Sequence, residues 1–382
     1  MRNKLILALL GAFLCLFAAN GATVRSGMVK GDAFEFAMAV DKLPAGSYVQ
    51  FAVAIENVGN KAPRHYRAEV FDGGKWVSGN SCDFVTVDAK VKHPSVFSHV
   101  FRLQNEVRDS LRFRCVVSST KAVDGSVLDA SEPENKVALK AGHYIPWRIT
   151  PLGTNEPEKH SRVLVVGNSF TYYFGTPILL QQIAFSQGLD LDLRISLKGG
   201  QSFRQHCGRE MTGRVIDEGG FDYAFIQGQS QEPARYAADP ERYRDVREAF
   251  TELYFRVLRN SPRCNVYIET TWGYPALDNG GFASLEEFDR LLIEGSSQIA
   301  AASASKRLPV GDAFTIARPQ VELLHKDVKH PGLAGVYLKA CVTCLTLTGK
   351  PFSGDVPSCG LPEDQAAYLR SVAEKVVLHI AP

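Results

Sequence analysis

The sequence lacks an excess of either charge and, beyond its first residues, lacks long apolar runs. Its 43 Lys and Arg residues are balanced by 41 Asp and Glu, for a formal net charge of +2 at pH 7. Nothing in this balance favours a nucleic-acid or anionic-membrane surface. No segment after residue 22 is apolar enough to cross a bilayer. We therefore expect a mature chain without a transmembrane segment.

The sequence also lacks a cysteine pair placed on a zinc knuckle. Cys341 and Cys344 form a Cys-x-x-Cys, but they lie inside an apolar helical pattern, so we predict no metal and no cofactor. Of eight cysteines, Cys15 lies in the first apolar run, which leaves seven, and an odd number leaves one thiol free unless two chains are bridged. Cys82 and Cys115 could form a disulfide, or both could be small buried residues.

The one long apolar run lies at the amino terminus. Arg2 and Lys4 precede the apolar residues 5–19, and small residues follow around residues 19–22. This order is typical of a secretory signal peptide, and the run is short for a membrane span. We predict a signal peptide over residues 1–22 and a mature chain exported to the periplasm or outside the cell.

The remaining length suits two domains. Residues 23–145 contain short segments with period-two alternation, such as that around Val49, Phe51 and Val53, and the hairpin signal Asp72-Gly73-Gly74. This pattern predicts an antiparallel β-sandwich of immunoglobulin or fibronectin type III character. Trp76, next to the hairpin, is interpreted as a packed cross-strand residue rather than a sugar-binding one. Residues 146–160 are predicted to form a linker or a wrapping arm.

Residues 161–382 alternate between strand and helix patterns. Ser284 and Glu287 form a capping box before one helix. Five strands separated by helices predict an α/β domain with an open, flavodoxin-like parallel sheet and a site beside the first strand. The predicted strands are 163–166, 191–196, 223–227, 266–269 and 308–311, and the predicted helices are 176–187, 243–258, 285–302, 318–325, 333–347 and 364–379.

The first of these strands ends in a serine. The apolar run over residues 163–166 is continuous, as in a parallel strand covered on both faces, and Gly167-Asn168-Ser169 follows it. Ser169 is therefore predicted at the carboxyl end of the strand, where α/β sheets keep their active sites. For a single Gly-x-Ser, a serine that only caps the next helix is the alternative.

A second motif lies about 160 residues later. Asp327 comes three residues before His330 on a loop that Pro331 restricts, so the acid can hold one ring nitrogen while the other faces a nucleophile. Together with Ser169, these residues have the Ser, Asp, His order of a hydrolase triad. His325 is interpreted as a cation at the end of the helix predicted over residues 318–325, not as the base.

The two motifs resemble the SGNH (GDSL-type) hydrolase superfamily, whose first block is Gly-Asp-Ser and whose last is Asp-x-x-His. The α/β-hydrolase fold fits less well, because several strands precede its serine and its acid lies well before the histidine. The resemblance implies that Ser169, Asp327 and His330 are catalytic. It also implies an oxyanion hole, whose donors in this chain are the backbone of Ser169, Gly200 with Gly199 as the alternative, and Gln229 in place of the family asparagine.

The resemblance further implies a secreted serine esterase for small esters, with O-acetylated carbohydrates as the leading substrate class. Phe170 and Trp272 are candidate substrate contacts, and for Trp272 a packed loop residue is the alternative. Gln227 replaces the glycine of the third block, and Asn168 replaces the aspartate of the first. Two alternatives remain open: a glycan-binding protein with little or no activity, and a hydrolase of lipase or thioesterase type.

Overall fold

The computed structural model describes residues 29–30, 33–57, 64–78, 85–87, 95–117, 136–139, 147–275 and 281–379. The predicted signal peptide and Cys82 lie outside the described residues. Two antiparallel sheets are formed within residues 29–153, which we call the two-sheet unit. A parallel sheet with its helices is formed within residues 159–379, which we call the parallel-sheet unit.

Strand β3 is central to the first antiparallel sheet, where it pairs with β7, β9 and β10, and β9 also pairs with β1. The second antiparallel sheet has the order β2-β8-β4-β5, with β6 also paired to β4. The strands are β1 (Val29–Lys30), β2 (Ala33–Leu43), β3 (Tyr48–Asn57), β4 (Arg64–Asp72), β5 (Lys75–Ser78), β6 (Val85–Val87), β7 (Ser95–Arg102), β8 (Val107–Val117), β9 (Lys136–Leu139) and β10 (Trp147–Gly153).

The two antiparallel sheets share one apolar core. Phe51 of β3 stacks on Phe113 of β8 with ring centroids 4.8 Å apart, and both side chains are fully buried. The predicted hairpin joins β4 to β5 through Gly73 and Gly74, whose φ angles of +57° and +78° favour glycine. Cys115 is a buried free thiol in this core.

Trp76 pairs across the hairpin with Phe71, and the two rings meet edge to face with centroids 5.2 Å apart. The Arg114 guanidinium lies over the Trp76 ring, 4.4 Å from its centroid. Trp76 is thus a half-buried, packed cross-strand residue, as the sequence indicates. Within residues 146–160, predicted as a linker or a wrapping arm, residues 147–153 form β10 and pair with β3, so this part is not a linker.

The opposite face of β3 packs on the parallel-sheet unit. Ala52 and Ala54 join the apolar core of that unit, while their neighbours on the other face join the core of the two-sheet unit. Gln50, fully buried on the same face, exchanges side-chain hydrogen bonds with Gln181 and Gln182 of the parallel-sheet unit at 2.9 and 2.7 Å. One antiparallel sheet is therefore covered on both faces.

The parallel sheet has the order β12-β11-β13-β14-β15, with every neighbouring pair parallel. This is the flavodoxin-like order predicted from the sequence, with the first strand second from the edge. Its strands are β11 (Lys159–Gly167), β12 (Leu189–Leu197), β13 (Tyr223–Ile226), β14 (Asn265–Glu269) and β15 (Lys306–Leu308).

Helices connect these strands and cover both faces of the sheet. Val163 and Val165 face one apolar core, and Leu164 and Val166 face another, which explains the continuous apolar run of β11. The helices are α1 (Ser169–Tyr172), α2 (Thr176–Ser186), α3 (Phe203–Cys207), α4 (Glu210–Asp217), α5 (Glu232–Ala238), α6 (Arg244–Asn260), α7 (Leu285–Ser303), α8 (Val310–Ala317), α9 (Leu333–Thr348) and α10 (Glu363–Leu378).

Two predictions around α8 are wrong. The last strand ends at Leu308 rather than at residue 311, because Pro309 precedes helix α8, which begins at Val310. The helix predicted over residues 318–325 does not form, since α8 ends at Ala317, two residues before Pro319. Pro319 has no backbone N–H to continue the helical hydrogen bonds, so α8 stops and the apolar pattern that follows Pro319 lies in a loop.

Candidate active site

Ser169 begins helix α1 directly after strand β11. Asn168 caps this helix, because its side-chain oxygen accepts the backbone N–H of Phe170 at 3.1 Å. Gly167 is required by a close approach, since a Cβ there would lie 2.7 Å from Thr171 Oγ1. Ser169 is half-buried at the carboxyl end of the strand, the edge at which open α/β sheets bind ligands.

The loop before helix α9 brings Asp327 and His330 to Ser169. His330 Nε2 lies 2.9 Å from Ser169 Oγ, and His330 Nδ1 lies 2.8 Å from Asp327 Oδ2. Asp327 Oδ1 accepts the backbone N–H groups of Lys329 and His330 at 3.1 and 3.0 Å. The three predicted residues thus form one hydrogen-bonded chain, the arrangement that makes a serine hydroxyl nucleophilic.

The charge of Asp327 sets the proton positions in this chain. Burial raises its pKa, but hydrogen bonds from the His330 backbone, the His330 ring and the Lys329 backbone outweigh burial and lower the pKa to about 2. An ionised carboxylate only accepts hydrogen bonds, so His330 donates to it through Nδ1–H. Nε2 is then left to accept the proton of the Ser169 hydroxyl.

Other contacts fix the ring of His330. Tyr173 stacks on it, with ring centroids 4.0 Å apart and an interplanar angle of 13°. Trp272 donates its ring N–H to the Lys329 carbonyl at 3.2 Å, directly before the histidine. Val328, also in this loop, has a φ of +52°, which is rare for a β-branched residue. The imidazole is therefore held by packing and by a tightly turned backbone as well as by Asp327.

Gly200 and Gln229 lie in the loops after β12 and β13, at the same sheet edge as Ser169. Gly200 has a φ of +70°, and no atom lies within 4 Å of the position that a Cβ would take. The side-chain oxygen of Gln229 accepts the backbone N–H of Gln231 at 2.8 Å, which leaves the NH₂ group as the donating end. The resemblance implies that these two loops supply the oxyanion donors.

No protein-family model and no curated protein sequence matches this chain. Solved structures similar to it include a DUF4886 family protein from Bacteroides uniformis, with 19% identity and a TM-score of 0.48 over 58% of this chain and 95% of that one. A protein from Slackia heliotrinireducens, provisionally classed as an SGNH hydrolase, has 24% identity and a TM-score of 0.39 over 49% and 99%. An acetylxylan esterase from Geobacillus stearothermophilus has 15% identity and a TM-score of 0.40 over 50% and 94%.

The strand order and the place of the site agree with the resemblance carried by the motifs. Ser169 follows the first strand of a sheet with the order β12-β11-β13-β14-β15, and Asp327 and His330 directly precede helix α9. The parallel-sheet unit is therefore an α/β domain with a flavodoxin-like sheet, and its serine lies where the resemblance to SGNH hydrolases implies. In the α/β-hydrolase fold, by contrast, several strands precede the nucleophile.

Asn168 joins the loops that contain Gly200 and Gln229 to the serine. Its side-chain NH₂ donates to the carbonyls of Gln201 at 3.2 Å and Gly228 at 2.7 Å, each the neighbour of a predicted oxyanion residue. Asn168 is only 2% exposed, and its hydrogen bond to Gly228 is buried while that to Gln201 is partly buried. An ionised aspartate, the usual residue of this block, could donate neither of them. The motif alone does not reveal this function of the asparagine.

Gln227, which lies where the resemblance implies the glycine of a third block, supports helix α1. Its side-chain oxygen accepts the backbone N–H of Asn168 and the hydroxyl of Thr171, both at 3.1 Å. Its NH₂ group donates to the carbonyl of Gly228. Gln227 is 1% exposed, so its side chain, although larger than that of glycine, is buried and is not exposed at the surface where a substrate would bind.

A buried ion pair supports helix α1 from the core. Lys339 of α9 and Glu269 at the end of β14 lie 2.7 Å apart, and each side chain is 3% exposed. Lys339 also donates to the Phe170 carbonyl at 3.1 Å and the Thr171 hydroxyl at 2.9 Å. Burial lowers the pKa of Lys339 and raises the pKa of Glu269, and each partner opposes the shift of the other. One lysine within an apolar helix is the only signal of this pair in the sequence.

The structure corrects the two predicted substrate contacts. Phe170 is 2% exposed and Trp272 is 0% exposed, so neither ring has surface to offer a substrate. Their rings stack with centroids 4.7 Å apart, and Trp272 also stacks on Phe314 at 4.1 Å. Trp272 is therefore the packed loop residue of the alternative interpretation, and it acts on the site through its hydrogen bond to Lys329.

His325 lies in the same loop as the triad residues. Its Nδ1 is 3.6 Å from Asp327 Oδ2, which is beyond hydrogen-bonding distance. Its backbone N–H donates to the His330 carbonyl at 2.7 Å. His325 thus closes the loop that carries Asp327 and His330 through its backbone.

Across the part of the chain that the structure describes, no helix combines the length and apolarity needed to cross a membrane. The described residues also contain no group of three or more His, Cys, Asp or Glu side chains that could hold a metal ion. Cys341 and Cys344 are buried free thiols of helix α9.

Proposed function

We propose that this protein is a serine esterase that hydrolyses small esters through an acyl-enzyme intermediate. The hydrogen-bonded chain from Ser169 through His330 to Asp327 is the observation that carries the proposal. It lies at the carboxyl edge of the parallel sheet, with two loops of hydrogen-bond donors on the same edge. Nucleophile, base, orienting acid and oxyanion donors are all that acyl transfer requires of the protein.

In the first half of the reaction, Nε2 of His330 takes the Ser169 proton while Oγ attacks the ester carbonyl. Asp327 holds the histidine tautomer and stabilises the imidazolium that forms. The backbone N–H of Ser169, the N–H of Gly200 and the carboxamide of Gln229 stabilise the oxyanion. The imidazolium then protonates the leaving alcohol as its C–O bond breaks. Water, activated by the same histidine, releases the acid and restores the serine.

The substrate class that we propose is an O-acetylated carbohydrate. The support for it is the resemblance to secreted SGNH hydrolases, many of which remove acetyl groups from polysaccharides and other glycans. The signal-peptide pattern of residues 1–22 supports export, where such glycans are found. In this proposal the two-sheet unit is an accessory to a hydrolase domain formed by the parallel-sheet unit.

A fluorophosphonate probe tests the nucleophile. We expect one adduct, located by mass spectrometry on Ser169 of the purified chain, and none on Ser169→Ala. Nitrophenyl esters of increasing acyl length, assayed beside acetylated oligosaccharides, then define the substrate. We expect turnover of acetyl esters that falls with longer acyl chains. No adduct, or an adduct on another serine, would contradict the proposal, and a preference for long acyl chains would favour the lipase-type alternative.

A further inference from the structure

Glu232, at the start of helix α5, joins the two loops that carry the predicted oxyanion donors. Its Oε2 accepts the backbone N–H of Gln229 at 2.7 Å and the backbone N–H of Phe203 at 3.0 Å. Gln229 is itself a predicted donor, and Phe203 is the first residue of helix α3, directly after the loop that contains Gly200. One carboxylate oxygen therefore bonds to the backbone of both loops.

The chain makes room for this carboxylate. A Cβ on Gly228 would lie 2.3 Å from Glu232 Oε2 and 2.9 Å from the Phe203 ring, so only glycine fits between them. Gly228 also offers its carbonyl to the side chain of Asn168 at 2.7 Å. The residue before Gln229 is thus held by Asn168 on one side, while Glu232 holds the backbone of Gln229 itself.

The charge state of Glu232 is sensitive to pH near neutrality. Burial raises its pKa to about 7, against the two backbone N–H groups that lower it. Asp245 of α6 adds to the rise, and Arg235 of α5 opposes it. Arg204 of α3 is paired with Asp245 at 2.8 Å. As pH rises through about 7, Glu232 ionises and becomes the stronger acceptor for both N–H groups.

We propose that Glu232 is a positioning residue that holds the Gly200 loop and Gln229 at a fixed separation, so that both donors address the same oxyanion. This role rests on the proposed esterase function, and it adds to that reaction a contributing residue that lies outside the triad. Oxyanion donors act only when they are held where charge develops, and misplacement of one donor reduces its effect on the transition state more than on substrate binding. Glu232 touches neither substrate nor serine in this role.

The test compares a nitrophenyl acetate with the corresponding thionoester, in which sulfur replaces the carbonyl oxygen. Sulfur accepts hydrogen bonds weakly, so the ratio of the two kcat values measures the oxyanion donors, while the demands on Ser169 and His330 are common to both esters. The variants are Glu232→Gln and Glu232→Asp. Glu374→Gln is the matched control, because Glu374 also accepts a backbone N–H, that of Phe352 at 2.8 Å, and lies on α10.

For Glu232→Gln we expect kcat for the acetate to fall about tenfold or more, with KM changed less than about twofold and a lower ester-to-thionoester ratio. Glu232→Asp, which keeps the charge with a shorter reach, should recover part of the ratio, and Glu374→Gln should keep the ratio of the original chain. In the unmodified chain the ratio should rise with pH through about 7, because the His330 titration is common to both esters and cancels. In Glu232→Gln it should be flat.

An unchanged ratio in a folded Glu232→Gln overturns this role alone. If the glutamine variant does not fold, an unchanged ratio in a folded Glu232→Asp, whose shorter side chain cannot reach both N–H groups in the same way, overturns it instead. An unmodified chain that turns over neither ester and takes no fluorophosphonate on Ser169 overturns the proposed function, and this role with it.

Discussion

Replacing Asn168 by aspartate tests the contribution of its side-chain NH₂ group, because the substitution removes that group and keeps the side-chain oxygen. Aspartate has the same size and caps helices as well as asparagine, so the hydrogen bond from the Phe170 N–H is kept. The NH₂ group is lost, and with it the hydrogen bonds to the carbonyls of Gln201 and Gly228. The substitution also restores the first-block residue of the family that the chain resembles, so sequence alone predicts a harmless change.

The structure predicts a cost instead. The Gly228 carbonyl keeps a second donor in Gln227, whereas Gln201 loses the side chain that bonds to its carbonyl. The Gln201 carbonyl is only partly buried, so its loss is a small part of the cost. The larger part is a buried carboxylate that faces two carbonyl oxygens, and we expect about 2–4 kcal/mol in all at pH 8. The melting temperature should fall by about 4 °C or more.

The sign of the pH dependence follows from the same contacts. Position 168 is 2% exposed and faces two carbonyl oxygens, which disfavours a charged group there, so the folded-state pKa of the introduced carboxyl lies above its unfolded value of about 4. The protonated acid can donate one hydrogen bond to a carbonyl. Stability relative to the original chain is therefore retained below about pH 4 and lost as pH rises through the folded-state pKa.

Thermal unfolding followed by circular dichroism at pH 5 and pH 8 provides the measurement. Ser169→Ala, a change at the adjacent position that leaves the Asn168 carboxamide intact, is the control for disturbance of helix α1. We expect the Asn168→Asp variant to lose more stability at pH 8 than at pH 5. Equal melting temperatures of the variant and the original chain at pH 8, or a larger loss at pH 5, would refute the view that the NH₂ group holds the two loops.

Two further predictions concern the triad and the contact between units. Asp327→Asn should fold normally yet lower kcat by about 10³-fold or more, because an amide favours the wrong tautomer of His330. Circular dichroism checks the fold and steady-state kinetics measures kcat. A kcat close to that of the original chain would show that Asp327 is not part of the triad. Gln50→Leu should lower the free energy of unfolding by about 1–3 kcal/mol, because Gln181 and Gln182 each lose one buried hydrogen bond, although Ser98 and Thr150 still bond to them. Denaturant unfolding measures the loss, and an unchanged midpoint would show that the two units do not depend on this contact.

The residues that the sequence identified are those with local signals. Ser169 follows an apolar run that ends in glycine, and Asp327 and His330 lie three positions apart on one loop. Both motifs can therefore be recognised without knowledge of the fold. Parallel strands with helices between them then bring the carboxyl ends together. The structure places these three side chains within hydrogen-bonding distance, as the order of the motifs suggests.

Contacts between distant segments leave no such signal. Glu232 meets the N–H of Phe203 across 29 positions, and Lys339 meets the carbonyl of Phe170 across 169. Neither pair has a spacing that a helix or strand period would reveal. The prediction that Trp272 contacts the substrate is wrong for another reason. An aromatic residue after a strand gives the same sequence pattern whether it lines a cleft or, as here, packs in the core.

The departures from the family pattern at Asn168 and Gln227 belong to one network. Viewed one at a time, each weakens the resemblance, and Gln227 in place of glycine suggests a crowded third block. In the structure the Gln227 oxygen accepts the backbone N–H of Asn168, while both side chains donate to the Gly228 carbonyl. The glutamine therefore occupies buried space next to Gly167, where a Cβ would come within 3.0 Å of its oxygen. Because each change supplies a partner for the other, the altered blocks are better explained as a rebuilt support for Ser169 than as decay of an inactive site.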